Sequence, residues 1–168
     1  EAVTRLLWKL ERARTRRNVT AGPVPVVCTP KAFASLLGIV SSGIAARSVF
    51  KGISPFAGKL GSRVFSEGFT LSDDPLADGS VYSYPFDDEG VPARTKKIID
   101  RGVITEWVSN LKYAARLGVK PSGNGSRGHA SLPGTSLSTV AVEGGSDDFE
   151  SLVAGLRGGV LLDQFIGL

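Results

Sequence analysis

The chain has 168 residues, of which 42% are hydrophobic and 21% are charged, so it fits about one domain and can bury a core. Its 21 glycines and 9 prolines predict many tight turns and argue against a plain helix bundle. No uncharged run reaches the length of about 20 apolar residues that spans a bilayer, and the first residues lack the pattern of a secretion signal. One cysteine excludes an internal disulfide, and one cysteine with one histidine argues against a Cys/His metal site within the chain.

Two features of the sequence concern its completeness. It contains no methionine, and it ends inside an apolar run at residues 160–168. We therefore expect a piece of a longer protein. Residues 1–22 would be the end of a basic helix and a linker from a preceding domain, and residues 23–168 a domain truncated at its end.

The first 17 residues concentrate positive charge in a chain whose net charge is +4. Six of them are basic: Arg5, Lys9, Arg12, Arg14, Arg16 and Arg17. Such a cluster fits a nucleic-acid patch. However, Leu6, Leu7 and Leu10 have amphipathic helical spacing, and arginines near a helix C-terminus are stabilised by its dipole. We favour a solvated helix end.

A second helix follows a short buried strand at residues 24–28. Thr29 and Pro30 predict its beginning, as N-cap and first helical residue. An apolar stripe then recurs with helical spacing, at Phe33, Leu36, Leu37, Val40 and Ile44. The other face is unusually rich in small residues, which permits close approach of another backbone: Ser35, Gly38, Ser41, Ser42, Gly43 and Ala45. We expect Cys28 to be a buried structural thiol.

The middle of the chain predicts a strand at 64–71 and a hairpin of strands 95–99 and 103–108. Glycine in the turn 100–102 can take a positive φ. A short helix at 110–117 should end at Gly118.

The last third predicts a mobile loop at residues 121–134 and a strand at 137–142. A helix capped by Asp147, with Glu150 in the capping-box position, should follow. A final strand at 160–166 would find its partner beyond the last residue. The strands and helices do not alternate regularly, so we predict an α+β fold with a mixed, largely antiparallel sheet, hairpins and a few packed helices.

Polar loops offer few diagnostic motifs. The glycine-rich segment 123–128 has no phosphate-loop spacing and fits a flexible surface loop, and His129 fits an exposed loop histidine. Five acidic residues could ligate a divalent ion: Asp73, Asp74, Asp87, Asp88 and Glu89. Their spacing is not that of a calcium loop, and Asp-rich turns form through side-chain bonds to the backbone, so we favour turns.

Several ordered blocks resemble the TldD/PmbA family. They are VVCTPKA (26–32) with SLL (35–37), VFSEGFTLSDDP (64–75), PFDDEGV (85–91), IIDRGV (98–103), AARLG (114–118) and GN (123–124). The resemblance covers nearly the whole chain from residue 24 onward. The family is described as modulators of DNA gyrase and as peptidases, and its members are considerably longer than this chain.

The resemblance also implies how the metal is distributed. The TldD branch carries His-Glu-x-x-x-His on the Pro-capped helix and a later cysteine, which hold zinc, and the glutamate acts as general base. In this chain the three motif positions hold Gly38, Ile39 and Gly43, and no cysteine follows Cys28. The chain therefore resembles the metal-free PmbA (TldE) branch, with no catalytic or metal-binding residue of its own. Zinc would belong to a TldD-type partner subunit.

We accordingly expect a non-catalytic subunit of a cytoplasmic heteromeric metalloprotease. It would form part of a chamber that binds unfolded peptides for proteolysis or peptide maturation, with contact to substrate or partner through Asp87, Asp88, Glu89, Gly90 and Asn124. Two alternatives stay open: an independent hydrolase that uses Asp87, Asp88 or Glu89, and a DNA-contacting protein that modulates gyrase. A homo-oligomer is also open, whereas we expect no membrane and no nucleic-acid partner.

Overall fold

The computed structural model describes residues 2–15, 18 and 21–165. Five helices lie within these residues: α1 (Ala2–Ala13), α2 (Pro30–Ile44), α3 (Ala46–Phe50), α4 (Leu111–Leu117) and α5 (Phe149–Gly155). The eight strands are β1 (Val26–Cys28), β2 (Leu71–Asp73), β3 (Lys96–Asp100), β4 (Val103–Ile104), β5 (Gly125–Ser126), β6 (Gly134–Thr135), β7 (Val140–Val142) and β8 (Val160–Leu162).

The strands form one main sheet and two small ones. The main sheet has the order β4-β3-β2-β7, and every neighbouring pair in it is antiparallel. Strands β5 and β6 pair antiparallel, whereas β1 and β8 pair parallel. The prediction of an α+β fold with a mixed, largely antiparallel sheet is confirmed.

Helix α2 begins where the sequence predicts. The Thr29 side chain accepts a hydrogen bond from the Ala32 backbone N–H at 3.3 Å, and Pro30 occupies the first turn, where no N–H is needed. Ile44 is fully buried, and Leu37 and Val40 pack against the core. The helix therefore lies on the core along its apolar stripe.

The core lies between α2, α4 and the main sheet. Its centre is aliphatic and includes Ile44, Leu71, Ile98, Ile99 and Ile104, all fully buried. A second layer of phenylalanines surrounds it, with ring centroids 5.3–6.4 Å apart: Phe33, Phe56, Phe65 and Phe69. Burial of these side chains supplies the main favourable free energy of folding.

The β3–β4 hairpin confirms the predicted glycine turn. Arg101 and Gly102 both have positive φ, 45° and 79°, which suits the right-handed twist of the two strands. Gly102 is also required sterically, because a Cβ there would overlap the Phe65 carbonyl oxygen. Helix α4 ends at Gly118 in a left-handed conformation, as predicted, and Asn110, predicted as its first residue, is its N-cap.

The predicted strand at residues 64–71 is wrong, because regular strand structure is confined to Leu71–Asp73. Phe65 and Phe69 both pack on the core, and a turn closed by Phe69 N–H to Ser66 C=O lets both rings point inward. Strand β2 then continues to Asp73, where the sequence indicated a turn.

The C-terminal third departs from its prediction at three points, and Cys28, just before α2, departs at a fourth. Residues 122–125 are buried, so the start of the predicted mobile loop is packed, although His129 is exposed as expected. The cap of α5 is Asp148, not Asp147. Strand β8 pairs in parallel with β1, so a partner lies within the chain and not only beyond its last residue as predicted. Cys28 is free but only half buried.

Helix α1 confirms the predicted amphipathic helix, and two of its basic side chains are engaged by the chain itself. Lys9 pairs with Asp163 at 2.7 Å, and the Arg12 guanidinium lies 3.9 Å above the Trp8 ring. Arg16 and Arg17 lie outside the described residues. Within the described residues, no helix is long and apolar enough to cross a membrane.

Candidate functional site

A buried polar network joins β2, β3 and the loop that precedes β5. The Lys96 ammonium lies 3.0 Å from Asp73 Oδ2, and both side chains are almost completely shielded from solvent. Asn124 Nδ2 donates to the same oxygen at 2.7 Å, and the Ser138 N–H donates to Asp73 Oδ1 at 2.7 Å. Every buried side-chain nitrogen and oxygen in the described residues has a partner, as buried polar groups require.

Two serines extend this network to the N-terminus of α4. Ser122 Oγ donates to Asn124 Oδ1 at 2.8 Å, and Ser109 and Ser122 exchange further hydrogen bonds between side chain and backbone. Asn124 Nδ2 also donates to the Ser136 carbonyl at 2.9 Å. The network therefore fixes residues 136–138 relative to the main sheet.

The acidic turn, residues 87–90, sits beside this network. Asp87 is buried and accepts three backbone hydrogen bonds, from Glu89 and Val91 at Oδ1 and from Gly125 at Oδ2. Asp88 Oδ2 accepts from the Arg127 N–H at 2.8 Å, and Gly90 has a φ of +78°. The aspartates thus fasten this turn to the start of β5, in the way that Asx side chains hold turns.

The Glu89 carboxylate lies close to that of Asp87, because a Cβ at Gly125 would come within 3 Å of both, and it also contacts α4. Its Oε2 accepts a hydrogen bond from the Leu111 N–H at 2.7 Å, at the first turn of α4. A carboxylate there satisfies an otherwise unpartnered helix N–H and suits the positive end of the helix dipole.

An aromatic groove of about 310 Å³ opens beside the acidic turn. Tyr82 and Phe86, exposed by 69% and 62%, line it together with Tyr84, Asp87 and Asp88. The Tyr84 hydroxyl donates to the Gly123 carbonyl at 3.1 Å. Burial, followed by the negative charges of Asp73 and Asp87, raises the pKa of Tyr84 to about 12, so this phenol is neutral at physiological pH.

A larger serine groove of about 540 Å³ runs along the small face of α2. Ser136 and Leu137 line both grooves, so the segment fixed by the buried network separates them. The residues that line the serine groove are mainly hydroxyl-bearing and apolar: Ser41, Ser42, Ala45, Arg47, Ser48, Val108, Asn110, Tyr113, Gly134, Thr135, Ser136, Leu137 and Val140.

The three motif positions of α2 do not share one surface. Gly38 is exposed with open space around it, and Ile39 is 57% exposed. Gly43 is buried, and a Cβ there would lie 2.6 Å from the Phe56 ring, which leaves no room for a histidine. It is Ser41, Ser42 and Ala45 that face the serine groove.

These residues do not fit a zinc ion. Zinc in proteins takes cysteine, histidine or carboxylate ligands, and the described lining of the serine groove contains none. Across residues 2–15, 18 and 21–165, no group of three or more such side chains could hold a metal ion.

The structure brings most of the predicted site residues together. Asp87 and Asn124 lie at the start of β5 and are buried, Asp88 bonds the Arg127 N–H just after this strand, and Gly90 ends the acidic turn. Contact with substrate or partner stays a prediction for these residues and for Glu89. Sequence reasoning missed Lys96. A signal was present, because Lys96 lies two residues before Ile98 and so on the same face of β3. A lysine on a buried strand face requires a buried acidic partner.

Comparison with known proteins assigns the family. Residues 21–168 match the model of the PmbA/TldA metallopeptidase C-terminal domain. The chain is 36% identical over 68% of its length to a protein named metalloprotease from Methanothermobacter thermautotrophicus, and this match covers 25% of that relative.

Two solved structures share the fold. TldE from Thermococcus kodakarensis is 30% identical with a TM-score of 0.74, over 90% of this chain and 35% of that one. A Thermotoga maritima protein proposed to modulate a DNA gyrase is 32% identical with a TM-score of 0.75, over 89% and 34%. The chain thus spans about a quarter to a third of these relatives, and its sequence and fold place it in the PmbA/TldD family of metallopeptidase-like proteins.

Proposed function

We propose that this chain belongs to a subunit of a heteromeric TldD/PmbA-type metalloprotease that carries no metal of its own. The observation that carries the proposal is the identity of the three zinc-motif positions on α2, which hold Gly38, Ile39 and Gly43, none of which can ligate zinc or take a proton. A zinc-bearing TldD-type partner, in the cytoplasm, would supply the metal and the general base.

The substrate of such a complex would be an unfolded peptide. Strand β7 pairs with β2 on one side and forms an edge of the main sheet, and Val140 at its start lines the serine groove. An extended peptide can add to such an edge through backbone hydrogen bonds that do not depend on its sequence. This chain would then build one wall of a substrate chamber.

The geometry supports the independent-hydrolase alternative less well. The carboxylates of Asp87, Asp88 and Glu89 all accept backbone hydrogen bonds, and Asp87 is buried with both oxygens engaged. A general base needs a carboxylate that can reach the proton it abstracts. Asp87 therefore supports an architectural role, and Asp88 is the exposed carboxylate of the turn.

Reconstitution tests the proposal. The protein that contains this chain is mixed with a zinc-loaded TldD-type subunit, and release of fragments from an unfolded, fluorescently labelled protein is followed. We expect cleavage with both subunits and loss of cleavage on removal of zinc from the partner. Cleavage by this protein without the partner, whether chelator-sensitive or chelator-resistant, would contradict the proposal.

A matched pair of variants on α2 locates the contribution of the serine groove. Ser42 and Ser35 are both exposed, and each hydroxyl bonds the carbonyl four residues earlier, but only Ser42 lines the groove. Ser42→Phe should reduce cleavage while the complex still assembles, and Ser35→Phe should not. If both variants changed cleavage equally, the serine groove would not be part of the substrate-binding surface.

A further inference from the structure

The aromatic groove has features that the proposed function leaves unused. Its wall presents two large exposed rings, Tyr82 and Phe86, which are exposed by 69% and 62%, whereas Phe56, Phe65 and Phe69 pack against the core. Its volume of about 310 Å³ lies at the lower end of the range for small-ligand pockets, about 300–1,000 Å³. The space suits a single side chain or a ligand of similar size.

The charges that face the groove are negative. Asp87 and Asp88 line it, and no lysine or arginine is among the described lining residues. The Lys96 ammonium is buried against Asp73, and Arg127 meets Asp88 through its backbone N–H. The groove is therefore acidic, although the net charge of the whole chain is +4.

Asp88 is the groove's available carboxylate. Asp87 uses both oxygens on backbone N–H groups and is buried, whereas Asp88 is exposed and uses only Oδ2, so Oδ1 remains open to a ligand. Aromatic faces attract cations through the ring quadrupole, with a strength of about 0.5–1 kcal/mol at exposed sites. A cation between the Phe86 ring and Asp88 would use both interactions.

We propose that the aromatic groove is a subsite for a basic side chain, arginine or lysine, of the bound peptide. This inference rests on the proposed peptide-binding function and names the substrate feature that this chain would select. Ser126 and Ser138 also line the groove and offer hydroxyl acceptors to the remaining N–H donors of a guanidinium. Arginine fits this set better than lysine because its planar group stacks on a ring while its edges donate.

Peptide titration of the full chain tests the subsite. Short glycine-flanked peptides that differ at one position (arginine, its neutral isostere citrulline, or glutamate) are titrated into the isotopically labelled protein, and amide shifts of residues 86–88 and 125–127 are followed. We expect the arginine peptide to bind about threefold or more tightly than the citrulline peptide, as an exposed ion pair allows. This preference should weaken as salt is raised.

Three variants test the contribution of the Asp88 charge, the contribution of the Phe86 ring, and the effect of removing a negative charge elsewhere. Asp88→Asn should abolish the preference for arginine over citrulline, and Phe86→Leu, which keeps apolar bulk but removes the ring, should weaken arginine binding about two- to fivefold. Asp147→Asn removes one negative charge from an exposed position outside the groove and should change neither value.

The outcomes distinguish this inference from the proposed function. Equal binding of all peptides, or an unchanged preference in Asp88→Asn, would overturn the subsite and leave peptide binding standing. Absence of binding by every peptide would contradict both.

Discussion

Neighbouring carboxylates in the acidic turn do different physical work. Asp87 is buried and holds three backbone N–H groups, whereas Asp88 is exposed and holds one. The carboxylate of Asp87 thus stabilises the turn from inside the fold, whereas the carboxylate of Asp88 is a hydrogen-bond acceptor at the surface.

This difference predicts opposite responses to the same substitution. Asp87→Asn places an amide N–H against the Gly125 N–H or against those of Glu89 and Val91, so the free energy of unfolding should fall by about 1–3 kcal/mol. Asp88→Asn should leave stability almost unchanged, because its exposed oxygen can be replaced by the amide oxygen or water. Urea denaturation of both variants measures the difference. Equal losses of unfolding free energy in the two variants would contradict the assignment of Asp87 as the residue that stabilises the turn.

A substitution at Gly90 measures the cost of backbone strain without a change in packing. Its φ is +78°, and a Cβ there would meet nothing within 4 Å, so Gly90→Val costs only the left-handed backbone. We expect a loss of about 1–2 kcal/mol in the free energy of unfolding. Gly144→Val is the matched control, since it also has open space but no positive φ. A Gly90→Val protein as stable as Gly144→Val would refute this explanation.

Helix ends were predictable from sequence because their signals are local. Thr29 and Asn110 are caps whose side chains bond a backbone N–H three residues on, and Gly118 ends α4 in a left-handed conformation. The one wrong cap, Asp147 in place of Asp148, lies between adjacent aspartates, where a local pattern cannot choose.

Strand partners were less predictable, because pairing depends on distant segments. Strand β8 pairs with β1 more than a hundred residues earlier, and no local signal marks that pairing. The packed residues 122–125 also looked like a loop, because Ser, Gly and Asn are typical of turns. Their burial follows from Asp73 and Lys96, which are distant in sequence.

Two neighbouring lysines on β3 test the buried network as part of the sheet. Lys96 faces inward to Asp73, whereas Lys97 faces outward to Glu143 and Asp100. Lys96→Met leaves Asp73 as an uncompensated buried charge, so we expect a loss of about 3 kcal/mol or more in the free energy of unfolding. Lys97→Met should have little effect because both partners are exposed. Thermal and urea unfolding compare the two, and equal stabilities would contradict the network's role.

At the scale of the whole molecule, the positive charge of α1 raises the question of whether the protein binds nucleic acid. Lys9 is bound to Asp163 and Arg12 lies on Trp8, so neither is free to contact a phosphate without losing an internal partner. We expect duplex DNA to bind only in the non-specific range of about 10⁻⁴–10⁻⁶ M at physiological salt. A fluorescence anisotropy titration measures this. Sub-micromolar, sequence-selective binding would favour the gyrase-modulator interpretation over the protease-subunit one.

The zinc content of the purified protein tests its proposed place among metal-bearing and metal-free subunits most directly. The protein is prepared without chelators, incubated with zinc, freed of excess metal by gel filtration, and measured by elemental analysis alone and in complex with a TldD-type partner. Because the zinc-motif positions hold Gly38, Ile39 and Gly43, the protein alone should retain far less than about one zinc per chain, and the complex should hold zinc in the partner. About one zinc per chain, retained by this protein alone, would contradict the account.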